Sequence, residues 1–261
     1  MNLESLVLDI PVTDLLYLTD SYLKESAATV LRFEPDGRNG AYLVMDRNIF
    51  HPKSGGQPSD TGRILGEEFT FHVNKVMFAK GVVVHWGRNI KGTAQSGDFS
   101  LTLDWAQRYG CMRKHTAAHL LDSCLPRVLG RQLETTDSWV GDDSYVAYHG
   151  EPPTKKQLRS VEETVNSTIS MGANVVARTM SRQEAMLLLD PSSLDRLPKS
   201  RDLRIVTIEG FLGIPCGGTH VRNIQEIGQF KLKPCQTFGE EFRVKMAPEP
   251  VSQFLNLASA R

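Results

Sequence analysis

"DWAQRYGCMRKHTAAHLLDSCLPRVLG", residues 104–130, is where the texture of this chain changes. Upstream, apolar runs are short and cut by turns. Here Met112, Ala118, Leu121 and Leu125 recur at helical spacing and predict one buried helix face. Asp104 is placed to cap the N-terminus. Gly130 is placed to close the C-terminus, and Pro126 to kink or break the last turn. The segment therefore separates a strand-rich first part from a mixed second part.

Working outward toward the N-terminus, "TVLRFEPDGRNGAYLVMD" reads as a hairpin around a Gly/Asn/Asp turn. "FTFHVNKVMF", "GVVVHWG" and "GDFSLTLDW" supply further strands, and the segment after Thr19 a short helix or another strand. Five or six strands in about a hundred residues predict a small β-barrel over residues 1–100. Toward the C-terminus, "DSWVGDDSYVAYHG" reads as a hairpin. "TKKQLRSVEETVNSTISMG" reads as an amphipathic helix with a Thr154/Gln157 capping box and Gly172 at its end. "NVVARTM" is a strand and "SRQEAMLLL" a short helix boxed by Ser181 and Glu184. "DLRIVTIEG", "IGQFKLKP" and "EEFRVKMAP" are strands. Residues 101–261 thus form an α+β domain behind the barrel.

The 261 residues carry 30 Lys plus Arg against 30 Asp plus Glu, a formal net charge of zero. Contact with nucleic acid would have to come from local patches. No apolar run is long enough for a transmembrane helix. "MNLESLVLDIPVTD" lacks a basic leader region, so a secretory signal is not expected. Cys111, Cys124, Cys216 and Cys235 are irregularly spaced, which fits a reducing, cytoplasmic compartment better than a disulfide framework.

Two pairs carry chemistry. His115 and His119, four residues apart on the helix, lie one turn apart on one face and can reach a common ion. "GIPCGGTH", residues 213–220, presents Cys216 and His220 from a Gly-rich loop that can bend around that ion. Thiolate with imidazole favours zinc over magnesium or calcium. Four ligands would close a tetrahedron, whereas a catalytic site keeps a position open. His220 is therefore either the fourth ligand or a close neighbour of one. Cys111 and Cys124 read as packing residues, and Cys235 has no partner by spacing. Arg108, Arg113 and Lys114 form a basic stripe that either meets phosphates or is a solvated helix face. In "NIFHPKSGGQPSDTG", Gly55 and Gly56 allow positive φ or close backbone approach; the loop is a long turn or leans over a site.

"HTAAHLL" followed by "CGGTHVRNIQEIGQFKL" resembles the editing domain of alanyl-tRNA synthetases. "HPKSGGQPSDTG" ahead of it is similar to the freestanding AlaX proteins that carry an N-terminal domain. The resemblance runs from about residue 20 to about 247. It implies a translation-factor-like barrel, then an α/β editing domain of the threonyl/alanyl-tRNA synthetase type. It implies a zinc-containing, ATP-independent deacylase acting in trans that removes serine, or glycine, from mischarged alanine tRNA. A cytoplasmic protein is the expectation from the cysteines, and the oligomeric state is left open, a monomer being one option. An aminoacylation core and the long C-terminal extension of the largest relatives are not expected. Where many relatives place a glutamine, Thr135 stands; Thr135 and Thr116 are the hydroxyls expected in the pocket. The backbone N–H groups of Gly217, Gly218 and Thr219 are expected at the developing oxyanion. Arg108, Arg113, Lys114, Gly55 and Gly56 are the expected tRNA or substrate contacts. The rival readings are a zinc hydrolase of small esters or peptides, and a non-catalytic RNA-binding module whose zinc only holds the fold.

Overall fold

The computed structural model describes residues 3–94, 97–189 and 201–249. The chain divides into two compact units, Met1–Gly110 and Cys111–Arg261.

The first unit is a closed six-stranded barrel. Its strands are β1 (Glu25–Pro35), β2 (Ala41–Met45), β3 (Gly62–Gly66), β4 (Phe69–Ala79), β5 (Val82–Lys91) and β6 (Asp98–Leu103). Around the barrel the order is β1-β2-β5-β4-β3-β6, and every pairing is antiparallel. The reason is visible in β6. Phe99, Leu101 and Leu103 are buried while Ser100 and Thr102 alternate with them, so one face fills the interior. Closure leaves no unpaired edge among these strands. Turn chemistry fixes the register. Asp36 Oδ1 accepts from the N–H of Arg38 at 2.8 Å and of Gly40 at 3.1 Å, which ties the β1–β2 turn. Lys80 and Gly81, both at positive φ, form the two-residue link from β4 to β5. The expected barrel is present, and β6 carries it to Leu103, just past the expected boundary at residue 100.

The loop between β2 and β3 is held by a buried ion pair. Arg108 donates Nε to Asp60 Oδ2 at 2.9 Å, and Nη2 to the same oxygen. It also donates to the carbonyls of Ser21 at 3.0 Å and Ile49 at 2.6 Å. Arg108 is fully buried, so it is corrected from a phosphate contact to a structural tie. Within the loop Gly55 and Gly56 both hold positive φ, 53° and 74°.

In the chain that follows, α1 (Trp105–Leu129) is a 25-residue helix. Asp104 Oδ1 accepts from the N–H of Gln107 at 3.2 Å, the predicted cap. The helix runs through Pro126 instead of breaking there. Pro126 stands in the last turn, where its missing N–H removes only one internal bond. Gly130, at φ 67°, ends the helix. Met112, Ala118, Leu121 and Leu125 are buried as predicted.

β7 (Glu134–Trp139), β8 (Tyr145–His149), β12 (Gln236–Phe238) and β13 (Glu241–Lys245) form an antiparallel sheet in the order β12-β13-β8-β7. A second sheet takes the order β9-β10-β11, from β9 (Val175–Ser181), β10 (Asp202–Ile208) and β11 (Ile214–Pro215). Helices α2 (Lys155–Met171) and α3 (Arg182–Met186) start at the two predicted capping boxes. "IGQFKLKP" is not a regular strand. Leu232 makes an isolated bridge to Met246, and along that edge Lys233 N–H bonds the Lys245 carbonyl while the carbonyls of Lys231 and Gln229 accept from Ala247 and Glu249 N–H. Side chains of α2 take the backbone groups of its other edge. Asn166 bonds both the N–H and the carbonyl of Phe230, at 2.9 and 2.8 Å, and Glu162 accepts from the Leu232 N–H at 2.5 Å. Among the described residues no helix is long and apolar enough to cross a membrane.

Candidate metal centre

α1 is buried on nearly every side between Cys111 and Leu121, so its polar residues face the interior. His115 and His119 lie on one face, ring centroids 5.1 Å apart. His220 completes the triangle, 4.4 Å from His115 and 4.5 Å from His119 by centroids. Cys216 Sγ lies 3.5 Å from His115 Nε2 and 3.3 Å from His220 Nε2. One ligand atom from each of the four residues falls within 4.8 Å of all the others. Around a four-coordinate ion, nitrogen and sulfur ligands stand roughly 3.3–3.5 Å apart. The donor set and the two sulfur distances therefore fit a metal ion.

The network selects the tautomer of His220. Thr116 Oγ1 donates to the Met112 carbonyl at 2.9 Å and accepts from the Val221 N–H at 3.2 Å. Its remaining contact, 3.2 Å to His220 Nδ1, is satisfied by an Nδ1–H donor. The lone pair of His220 is then on Nε2, the nitrogen facing the sulfur. Thr116 is thus corrected from a pocket hydroxyl to the group that orients His220; it is fully buried.

Arg204, on β10, shapes the loop. Its Nη1 donates to the carbonyls of Cys216 at 2.8 Å and Gly218 at 3.0 Å, and its own carbonyl accepts from the Cys216 N–H at 3.0 Å. Burial, then the charges of His115 and Arg204, hold His119 well below the usual histidine range, so its imidazole is neutral. Burial pushes the Cys216 thiol up, against the Gly218 N–H and Arg204. A metal would have to displace that proton, so binding would be pH-dependent.

The expected oxyanion donors divide. Gly218 N–H is taken by Cys216 Sγ at 3.3 Å, which corrects its assignment. Thr219 is buried, while Gly217 is exposed with open space where a Cβ would stand. Arg113 is a second correction to the basic stripe. It is buried and donates to the carbonyls of Glu226 at 2.9 Å, Ile227 at 2.5 Å and Glu249. Lys114 is half-buried and its Nζ donates to the Gly141 carbonyl at 3.0 Å. Gly55 and Gly56 belong to the barrel unit, and the His/Cys cluster to the second unit.

Thr135 sits on β7 and donates Oγ1 to Asp122 Oδ1 at 3.1 Å; Tyr148 OH donates to the same oxygen at 2.8 Å. Burial pushes Asp122 up to about 6 against those two bonds. It pushes Tyr148 well above the usual phenol range, with the Asp122 charge adding to it. The sequence reading missed Asp122 and Arg204. Asp122 had a signal, because it follows His115 and His119 at helical spacing and so shares their face. Arg204 had none beyond being one basic residue in a strand.

Two family models match the chain. Residues 24–106 match "tRNA synthetases class II (A)", and residues 203–244 match "Threonyl and Alanyl tRNA synthetase second additional domain". An alanyl-tRNA editing protein AlaX-M of Methanosarcina barkeri is 35% identical over 243 residues, 89% of this chain and 97% of the relative. Its namesake in Methanosarcina acetivorans is 34% identical over the same shares of both chains. An alanine–tRNA ligase of Ignicoccus hospitalis is 33% identical across 85% of this chain, which spans 24% of that longer protein.

Proposed function

Because the chain belongs to the family of AlaX-M alanyl-tRNA editing proteins, we propose that it hydrolyses the ester joining serine, and secondarily glycine, to alanine tRNA. It does so in trans, as a cytoplasmic monomer and without ATP, since ester hydrolysis is itself downhill. Residues from Cys111 onward form the deacylase unit, and the barrel is a translation-factor-like N-terminal domain. The observation that carries this reading is the convergence of His115, His119, Cys216 and His220 within 4.8 Å. We assign the ion as zinc, from the one-thiolate, three-imidazole donor set.

Zinc, when bound there, supplies a Lewis acid beside the scissile ester. The chain's own residues do the rest. Thr116 holds His220 with Nε2 turned inward. Arg204 pins the carbonyls on either side of Gly217, which fixes the loop's shape. Gly217 is exposed, and its N–H meets no acceptor among the described residues, so it is our candidate for the developing oxyanion. Thr135 offers a hydroxyl beyond His119, and the Gly55–Gly56 loop remains a candidate substrate contact of the barrel unit. Selectivity follows from polarity. A site that hydrogen-bonds serine's hydroxyl leaves buried groups unpaired when alanine enters, a penalty worth about 10⁴-fold in comparable sites.

The test is deacylation of seryl-, glycyl- and alanyl-tRNA made on alanine tRNA. The reading predicts rapid loss of serine, slower loss of glycine and survival of alanine. Equal rates on seryl- and alanyl-tRNA, or no hydrolysis of any, would overturn it.

A further inference from the structure

The side chain that the deacylase reading leaves unused is Asp122. It lies on α1 one turn beyond His119, on the face that carries both helix histidines. Beside it opens a cavity of about 250 Å³, bounded by Pro126, Arg127, Gln132, Ile214 and Pro215 among others; the Arg127 guanidinium lies over the Phe211 ring, 4.6 Å from its centroid. Both elements that supply the His/Cys cluster therefore wall this cavity: His119 precedes Asp122 by one turn, and Cys216 follows Pro215 directly.

Asp122 is the only carboxylate among the described residues lining that cavity. Its two hydrogen bonds, from Tyr148 and Thr135, both end on Oδ1. Oδ2 accepts none among the described residues, and no cation pairs with the carboxylate there. A carboxylate oxygen with no donor, beside a cavity, is complementary to a small cation. Burial already pushes this carboxyl up to about 6, the behaviour of an acid whose counter-charge is missing.

We propose that Asp122 is a substrate-binding residue that pairs with the α-ammonium of the aminoacyl group. The proposal rests on the deacylase reading and names how that site recognises its substrate class. An aminoacyl ester carries its positive charge one carbon from the scissile carbonyl. Fixing that charge one helical turn from His119 places the carbonyl toward the cluster, and it does so for serine and glycine alike. Thr135 and Tyr148 hold the carboxylate in place and are positioning residues.

The experiment compares wild type with Asp122→Asn, which keeps an Oδ1 acceptor for Tyr148 and Thr135. The substrates are seryl-tRNA, glycyl-tRNA and N-acetyl-seryl-tRNA, whose amine carries no charge. Wild type should prefer the free amine by about tenfold or more, the scale of a charge-assisted hydrogen bond. In Asp122→Asn that preference should collapse toward one, with seryl- and glycyl-tRNA losing rate to the same degree. Amide-linked seryl analogues of the tRNA 3′ end, with and without the acetyl group, read the same ratio as inhibition constants and need no turnover. A general loss of folding would lower all substrates together and leave the ratio as in wild type, as would a purely structural role; that result overturns the proposal. So does a loss confined to seryl-tRNA, which would assign Asp122 to the side-chain hydroxyl. If wild type cleaves none of the three, the deacylase reading itself fails, and the two failures are told apart.

Discussion

Both units bury polar groups, and they bury them differently. In the barrel, Arg108 and Asp60 face each other fully buried, and the guanidinium also reaches two carbonyls. In the second unit three imidazoles and a thiol converge within 4.8 Å, with a neutral His119 and a protonated thiol as the favoured forms. The first constellation is complete in itself and holds a loop. The second spends buried polar groups on one another without comparable charge pairing, which is the condition of a site built for something else. Buried polarity alone therefore does not mark function; the unmet valence of the group does.

Substitutions should separate the two kinds of burial. The largest effect on activity is expected from Cys216→Ala. Deacylation of seryl-tRNA should fall by more than about 100-fold while circular dichroism keeps its native shape, since a metal ligand is lost and no core is opened. Arg108→Met should do the reverse. It strands Asp60 in the barrel and should cost about 3–5 kcal/mol in urea melts, with the rate per folded molecule preserved. If Arg108→Met abolished activity in fully folded protein, the contrast between the units would be broken.

A smaller effect is expected in the β2–β3 loop. Gly55→Ala meets open space, so its cost is the positive φ alone. Gly55→Ala and Gly56→Ala should each lower stability by about 1 kcal/mol, read as a fall in melting temperature. A change in the seryl/glycyl rate ratio beyond that loss would add substrate contact to the loop's structural role.

The smallest effect sharpens the comparison through pH. Asp122 titrates at about 6 when folded, against 3.8 for the free group. Its raised value means that the folded state holds the proton longer. Wild type therefore loses stability from this group as pH rises from about 4 to about 6, and the loss stays constant above that. Asp122→Asn carries no such loss. The melting temperature of the variant minus that of wild type should increase across that window; a flat difference would remove the unpaired-carboxylate account.

Local rules made much of this molecule legible. Thr154/Gln157 and Ser181/Glu184 announce their helices, because capping is chemistry between neighbours in sequence. The ligand pairs were legible for the same reason: each is a short, fixed spacing. The basic stripe was not. Arg108 and Arg113 count as charge in the sequence, but their guanidinium groups are buried by elements 48 and more than 100 residues away. "IGQFKLKP" misled in part: one edge pairs with residues 245–249 as a strand would, while the N–H groups of Phe230 and Leu232 on the other edge go to the Asn166 and Glu162 side chains. Asp122 could be placed on the histidine face by counting, yet only the fold shows Tyr148 and Thr135 on one of its oxygens and a cavity beside it.

The most direct measurement is metal content set against activity. Protein purified without added zinc, stripped with chelator and then resupplied, should bind one zinc per chain and regain hydrolysis of seryl-tRNA in proportion to it. Cys216→Ala, treated identically, should recover neither. A wild type that stays free of metal after zinc is supplied, or that hydrolyses seryl-tRNA at full rate without it, would contradict the account.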